Sequence, residues 1–242
     1  MILAIDTSTR NASVALAEGT GVVAGRSWRS AMSHTTELMP VVTQLLDGLG
    51  ARPRDLDVVA VALGPGGFSA LRAGMSVAKG LALAAGRPII GIGSLDLEAF
   101  PCRESGLVVC ALLEAGRSEA ASALISPEGA RLREDRITGP DELLEEICAM
   151  EQGSPLLFCG EGAPPWAESI RAALGGRAVL CHTPPSARAG SLAALAFDRL
   201  ARGDVDDLDA LQPHYLRMPS IGVPKRRDRR AQASSSRSSR RT

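Results

Sequence analysis

Two hydrophobic patterns alternate along the first hundred residues. Short apolar runs of strand length are followed by longer segments with apolar residues at helical spacing. Apolar side chains that recur every three or four positions predict a helix over 36–49, and the run 69–85 predicts a second helix, ended by Gly86 and Pro88. Continuous apolar runs predict strands at 2–6, 13–17, 22–28, 58–63 and 88–92. The predicted order is three strands, a helix, a strand, a helix and a strand.

The second half of the chain repeats this order. The segment RNASVAL from Arg10 is similar to RSEAASAL from Arg117, and each opens its half. We therefore predict an α/β fold built from a duplicated unit, with two lobes, a mixed sheet and flanking helices in each, and a cleft between them. Strands are predicted at 107–113, 119–125, 131–137, 155–160 and 177–181, and helices at 141–150, 164–174 and 191–201.

The same pattern divides the chain. An N-terminal lobe is expected over 1–102 and a C-terminal lobe over 103–218, with the helix at 191–201 a candidate to pack back on the first lobe. Residues 219–242 are expected to form a disordered basic tail, since their polar composition cannot build a core. From Lys225 to Arg241 the tail has eight basic residues and one acidic residue. It could contact RNA electrostatically or be a solvated appendage.

Composition excludes several classes of protein. No run of about 18 apolar residues occurs, as a membrane-spanning helix would need, and Asp6 interrupts the first apolar stretch. We expect a cytoplasmic protein that does not bind membranes. The five cysteines are odd in number and lack a CxxC motif, so reduced thiols are expected rather than disulfides or a zinc site. The three histidines form no ligand pair, and we expect no metal.

The stretch LGPGGFSALRAG, residues 63–74, joins a predicted strand to a predicted helix. Its glycines let the backbone turn sharply, and the first N–H groups of a helix attract negative charge. However, the nearest lysine is Lys79, too far for a Walker loop, and no second acidic residue evidently partners Asp6. Tight packing of strand on helix explains the glycines equally well. The candidate vestigial phosphate site comprises Asp6, Thr7, Ser8, Gly64, Gly66 and Gly67.

Four segments resemble the TsaB (YeaZ) family, whose members have the actin-like ATPase, ribonuclease H-like fold. They are ILAIDTSTRNASVALA at 2–17, SHTTELMPVVTQLL at 33–46, LGPGGFSALRAGMSVAKGLA at 63–82 and PIIGIGSLD at 88–96. The second half resembles the family through its element order and FCGEGA at 158–163. The family pattern in the loop is closer to GPGSFTGLR, and here Gly67, Ser69 and Ala70 replace its serine, threonine and glycine.

The resemblance implies a non-catalytic subunit that binds TsaD and supports transfer of the threonylcarbamoyl group to the adenosine beside the anticodon of tRNA. TsaD carries a metal-binding HxxxH pair just after the strand that resembles 88–92. This chain has Ser94 and Glu98 at those positions, so neither that metal nor a catalytic residue is expected.

The resemblance also implies partners. The helices at 36–49 and 69–85 would bind TsaD, or a second copy of the chain when TsaD is absent. TsaE would join the TsaB–TsaD complex, and ATP or ADP would bind at an interface of that complex. Contact with tRNA is expected to be indirect or through the basic tail. The interface candidates, chosen by the position of their helices, are Leu38, Val41, Val42, Leu45 and Met75.

An ATP-dependent enzyme of the actin-like class, such as a small-molecule kinase or ATPase, is the alternative. In that case Asp6 would hold Mg²⁺ and the loop at 64–67 would hold phosphates. A glycoprotease would need a metal or a nucleophile that the sequence does not reveal.

Overall fold

The computed structural model describes residues 1–30, 34–150 and 153–217. The predicted tail at 219–242 lies outside the described residues. The strands, in chain order, are β1 (Ile2–Asp6), β2 (Asn11–Glu18), β3 (Gly21–Arg29), β4 (Val58–Gly64), β5 (Ile89–Gly93), β6 (Val108–Gly116), β7 (Glu119–Ile125), β8 (Arg136–Thr138), β9 (Leu156–Cys159) and β10 (Ala178–Leu180). The helices are α1 (His34–Gly48), α2 (Phe68–Ala85), α3 (Ser94–Ala99), α4 (Pro140–Ala149), α5 (Ala163–Leu174) and α6 (Arg188–Ala201).

The sheet of the first lobe has the order β3-β2-β1-β4-β5. Strands β1, β4 and β5 are parallel, whereas β1, β2 and β3 pair antiparallel. All five residues of β1 are buried, as expected for a central strand covered on both faces. Successive side chains of a strand point to opposite faces. Leu3 and Ile5 accordingly pack with α1 and α2, while Ile2 and Ala4 pack with α6.

The second lobe repeats this topology. Its sheet has the order β10-β9-β6-β7-β8, with β6, β9 and β10 parallel and β6, β7 and β8 antiparallel. Helices α4 and α5 cover one face of the sheet through Leu143 and Ile170. Two mixed sheets with flanking helices and one shared strand order confirm the predicted fold class.

Helix α3 and a segment near the end of the described chain each contact both lobes. Helix α3 lies between the sheets: Leu97 packs with the first lobe, and Leu95 and Ala99 pack with the second. The other joining segment is 205–217, here called the C-terminal strap. Its backbone pairs with β5 at Ile89, and the N–H of His214 donates to the carbonyl of Leu63 at 2.7 Å.

One strand is shorter than predicted. Strand β8 covers Arg136–Thr138, whereas the sequence predicts a strand over 131–137. The preceding residues contact β7 only at isolated points: Arg131 forms a single bridge with Ile125, and the N–H of Leu132 donates to the carbonyl of Leu124 at 2.9 Å. Side-chain ion pairs add to these contacts, from Arg131 to Asp96 at 2.9 Å and from Arg133 to Glu146 at 3.0 Å.

Two further findings concern the cysteines and the helices. All five cysteines are free thiols, and Cys102, Cys110 and Cys159 are buried. Among the described residues, no helix combines the length and the apolar character needed to cross a membrane.

Candidate functional site

The polar turn that follows β1 is buried between the lobes. Asp6, Thr7 and Ser8 are each at most 2% exposed. The Oδ1 atom of Asp6 accepts hydrogen bonds from the backbone N–H of Ser8 at 2.8 Å and from its hydroxyl at 2.7 Å. The hydroxyl of Thr7 donates to the carbonyl of Ala70, in α2, at 2.7 Å. The turn is therefore fixed both by its own side chains and by the helix that follows the glycine loop.

Arg188, the first residue of α6, fills the space beside this turn. Its Nε donates to Oδ2 of Asp6 at 2.6 Å, and one Nη donates to the hydroxyl of Ser8 at 2.6 Å. The other Nη donates to Oε1 of Glu98, in α3. Arg188 and Glu98 are both 1% exposed. One guanidinium thus ties β1, α3 and α6 together through two buried carboxylates.

Burial and charge act in opposite directions on this cluster. Burial raises the pKa of Glu98 to about 7, although the Arg188 guanidinium acts to lower it. Burial acts to lower the pKa of Arg188, but the carboxylates of Asp6 and Glu98 outweigh it and raise that pKa above its usual value. Arg188 therefore stays a cation, and Glu98 is the group of the pair that gains or loses a proton near neutral pH.

The glycine loop packs against the same turn. A Cβ atom on Gly66 would lie 2.3 Å from the carbonyl oxygen of Ser8, so only glycine allows this approach. The N–H of Gly67 donates to that carbonyl at 2.9 Å. Gly64 is crossed by the strap, since a Cβ there would lie 2.5 Å from the carbonyl oxygen of His214. The loop thus packs on the backbone of the β1 turn and of the strap.

A divalent cation does not fit between Asp6 and Glu98. Cations bind such carboxylates through oxygens that face open space, and the guanidinium of Arg188 already occupies that space. Ser94 and Glu98, the positions where the resemblance leads one to compare a metal-binding pair, are both buried, and the hydroxyl of Ser94 has no hydrogen-bond partner. No group of three or more His, Cys, Asp or Glu in the described part of the chain could hold a metal ion.

A cleft of about 1110 Å³ opens between the lobes, beyond the Asp6 turn. Glu161, at the start of the second lobe's GEGA turn, crosses it. Its Oε1 accepts from the hydroxyl of Thr9 at 3.2 Å and from Nδ2 of Asn11 at 3.1 Å. The GEGA turn and the polar turn of β1, both singled out from the sequence, therefore meet across the lobes.

The predicted interface residues lie in the core of the first lobe. Leu38 and Val42 are fully buried, Val41 and Met75 are 5–6% exposed, and Leu45 is half-buried against the same cluster. This burial corrects the prediction that they form a face for a partner. The surplus of apolar residues on α1 exists because the helix contacts both the sheet and α2, so its buried stripe is wide.

No local pattern indicates Arg188 as a partner of Asp6, because 182 positions separate them. One indirect signal was available. A basic residue at the start of a helix opposes the helix dipole, so it needs a counter-charge nearby. Arg188 starts α6 in just this position, before a stripe of alanine and leucine that packs on the first lobe.

The fold and the site together define an actin-like, ribonuclease H-like protein whose central carboxylates are held by its own arginine. The family model for TsaD, described as tRNA N6-adenosine threonylcarbamoyltransferase, matches residues 9–150, and the chain belongs to that family. Within it the chain groups with TsaB, as the resemblance implied.

Three comparisons support this grouping. The TsaB protein of Bacillus subtilis, named for tRNA threonylcarbamoyladenosine biosynthesis, is 29% identical over 90% of this chain and 94% of its own length. The structure of YeaZ from Pseudomonas aeruginosa aligns with a TM-score of 0.70 and 26% identity, over 89% of this chain and 99% of that one. The threonylcarbamoyltransferase of Anaeromyxobacter dehalogenans is 35% identical, but over 39% of this chain and 33% of its own length.

Proposed function

We propose that this chain is a subunit without chemistry of its own. It binds a TsaD-type protein and supports transfer of the threonylcarbamoyl group to the adenosine beside the anticodon of tRNA. The names of its relatives in tRNA threonylcarbamoyladenosine biosynthesis support the pathway. The observation that supports the accessory role is the salt bridge from Arg188 to Asp6 and Glu98.

That salt bridge argues against the alternative, an ATP-dependent enzyme of the actin-like class. Such an enzyme would need the Asp6 carboxylate for Mg²⁺, yet each of its oxygens accepts hydrogen bonds inside the protein. Releasing Asp6 would leave the Arg188 cation buried without its partner, which is costly. The same reasoning applies to the loop at 64–67, which packs on Ser8.

We assign partner binding to the outward face of α1 and α2 in place of the buried residues. Met39 on α1 and Leu83 on α2 are 39% and 72% exposed. Ser76, Gly80 and Leu83 are exposed and lie on one stripe of α2, because they are three or four positions apart. A Cβ on Gly80 would meet nothing within 4 Å, so the chain's own packing does not require glycine there. Glycine inside a helix costs about 1 kcal/mol relative to alanine, and close approach by a partner helix accounts for that cost.

The direct test mixes the purified chain with TsaD and measures the mass of the complex by light scattering, with and without ATP. A complex of one chain with one TsaD is the expected result. Calorimetry of the chain alone with Mg-ATP should show no binding. Micromolar ATP binding together with turnover that is lost in Asp6→Asn would support the enzyme alternative and refute the accessory role.

The docking face is tested with Gly80→Arg. The site of the new side chain is open, so folding should be unaffected while TsaD binding is weakened at least tenfold. Ala172→Arg, an exposed helical position of the second lobe, is the matched control and should bind normally. Normal binding by a folded Gly80→Arg variant would move the interface elsewhere.

The remaining parts of the proposal follow the family. The chain pairs with itself when TsaD is absent, TsaE joins the TsaB–TsaD complex, and ATP or ADP binds at an interface of that complex. The assembly works in the cytoplasm. Each of these stays a prediction, and the mass measurement, repeated with the chain alone and with TsaE, tests the first two.

A further inference from the structure

Three of the five cysteines lie together on one face of the second sheet. Cys102 belongs to the turn at Phe100–Ser105 that follows α3, Cys159 ends β9, and Cys181 directly follows β10. All three pack in the apolar cluster that also contains Leu95 and Ala99 of α3. Cys110 and Cys148 pack in the cluster on the opposite face of the sheet. The fold therefore brings together thiols from three separate segments of the chain.

Strand pairing places Cys159 and Cys181 side by side. Leu180 lies opposite Phe158 in the parallel pair of β10 and β9, and the N–H of Cys181 donates to the carbonyl of Phe158 at 2.9 Å. Cys181 is thus level with Cys159, and their side chains point to the same face because successive residues of a strand alternate. The thiols of Cys159 and Cys181 both donate hydrogen bonds to the sulfur of Cys102.

These surroundings favour the thiolate form of Cys102. The hydrogen bond from Cys159 lowers the pKa of Cys102 to about 6, although burial acts to raise it. The Thr183 hydroxyl, which is buried without a hydrogen-bond partner, also acts to lower that pKa. By contrast, burial raises the pKa of Cys110 to about 12. Since the thiolate is the nucleophilic form of cysteine, Cys102 has the property that reactive cysteines share.

Cys181 is better placed than Cys159 to complete a disulfide with Cys102. Cys159 is fully buried and lies in β9, between β6 and β10. Cys181 is half-buried, and it follows the edge strand of the sheet. A disulfide demands a narrow range of distances and torsion angles. The backbone beyond an edge strand can adjust to that demand, whereas a strand paired on both sides cannot do so without breaking its hydrogen bonds.

We propose that Cys102 and Cys181 form an oxidation-sensitive pair, which hydrogen peroxide closes into a disulfide. The Cys102 thiolate attacks one oxygen of the peroxide, the O–O bond breaks, and the departing hydroxide takes up a proton to become water. The Cys181 sulfur then attacks the sulfur of the Cys102 sulfenic acid. The S–O bond breaks, and hydroxide leaves with the Cys181 proton as a second water. Two thiols are oxidised to one disulfide while the peroxide is reduced by two electrons.

The disulfide would fix one wall of the cleft between the lobes. Cys181 leads into the segment 182–187, which lines the cleft through His182, Thr183 and Pro185 and ends at Arg188. Cys102 follows α3, the helix that packs with both sheets. Oxidation would thus tie this wall to α3. The pair lies outside the outward face of α1 and α2, so the inference does not depend on the proposed function.

Peroxide treatment of the full chain, followed by alkylation of the remaining thiols and mass spectrometry of its peptides, tests the proposal. The expected product is an intramolecular Cys102–Cys181 disulfide, with two of the five thiols lost and all five restored by dithiothreitol. Oxidation should also raise the melting temperature by about 5 °C, because a cross-link restricts the unfolded chain. The peptide map of the unchanged chain identifies the pair even if a variant does not fold.

Two single variants separate the steps. Cys181→Ala should form no disulfide and should leave a sulfenic acid on Cys102, which dimedone traps. Cys102→Ala should keep Cys181 reduced. Cys148→Ala is the matched control and should form the disulfide at the unchanged rate. Because Cys148 is more exposed than Cys102, exposure alone would make Cys148 the first thiol to react.

Several results would overturn the proposal. One is a disulfide that joins Cys159 to either of the other two cysteines, or that joins two chains. Another is oxidation of Cys148 before Cys102. A third is a chain that keeps all five thiols at a peroxide concentration that oxidises the urea-unfolded chain.

Discussion

The Nε atom of Arg188 lies 2.6 Å from Oδ2 of Asp6, and both side chains are essentially sealed from solvent. This contact joins the start of α6 to the end of β1. A buried ion pair is not by itself a large source of stability, since desolvation offsets much of the attraction. The pair matters here because removing either partner would leave the other buried as an unpaired charge.

Arg188→Ala should therefore destabilise the protein strongly. It leaves the Asp6 carboxylate buried without a cation and Glu98 without its partner, for which the expected loss is about 3–5 kcal/mol of unfolding free energy. Urea denaturation measures it. Arg171→Ala, at an exposed position, should change stability by less than about 0.5 kcal/mol.

A neutral version of the cluster distinguishes charge from lost packing. The combination Asp6→Asn, Glu98→Gln, Arg188→Met removes all three charges and should regain most of the stability that Arg188→Ala loses. If the combination is as unstable as the single variant, the guanidinium acts through its volume rather than its charge.

Stability should depend on pH through Glu98. Its pKa is about 7 in the folded protein and 4.5 as the reference value, so within this window the folded state holds a proton that the unfolded chain has released. Raising the pH from 4.5 to 7 should therefore lower the free energy of unfolding. Glu98→Gln removes this titration, and its unfolding free energy should change less across the window. Parallel curves for the two proteins would contradict the assignment.

Two glycines in and after the loop should respond to alanine in opposite ways. Gly66→Ala forces a methyl group against the Ser8 carbonyl and should cost about 2–3 kcal/mol. Gly80→Ala meets open space and should stabilise the free chain by up to about 1 kcal/mol. Denaturant midpoints of both variants check the contrast, and a Gly66→Ala protein as stable as the parent would refute the close approach.

Substitutions at core and at surface positions of α1 and α2 should have different effects on stability and on binding. Val42→Glu buries an unpaired charge and should unfold the first lobe or lower its melting temperature sharply. Leu83→Glu, on the exposed face, should keep the melting temperature within a few degrees and weaken binding to TsaD. Thermal melts and light scattering with TsaD measure the two effects. A folded Val42→Glu protein would show that the side chain is not in the core.

Much of the fold could be predicted because strands and helices leave local patterns. The fully buried β1 and the largely buried β4 appear as continuous apolar runs, and the duplicated order of elements survives errors in their bounds. At 131–137 the alternation predicts one strand, but regular pairing with β7 occurs only at Arg136–Thr138, and Arg131 forms an isolated bridge.

The candidate site could be predicted only in part. Asp6 and the glycine loop are local motifs that a sequence reveals, but what fills the site depends on contacts across the whole chain. Helical periodicity shows that Leu38 and Val42 share a face, yet not whether that face meets a sheet or a partner. The pairing of Arg188 with Asp6 joins distant parts of the chain, so it produces no periodic pattern in the sequence.

The placement of α6 has a consequence for biosynthesis. Strand β1 leaves the ribosome at the start of translation, whereas the helix that covers its second face and neutralises Asp6 follows after more than 180 residues. The first lobe therefore cannot finish its core while the second lobe is still being made. One face of this sheet therefore stays uncovered until α6 has been made, and exposed apolar surface of this kind makes partly folded chains prone to aggregation.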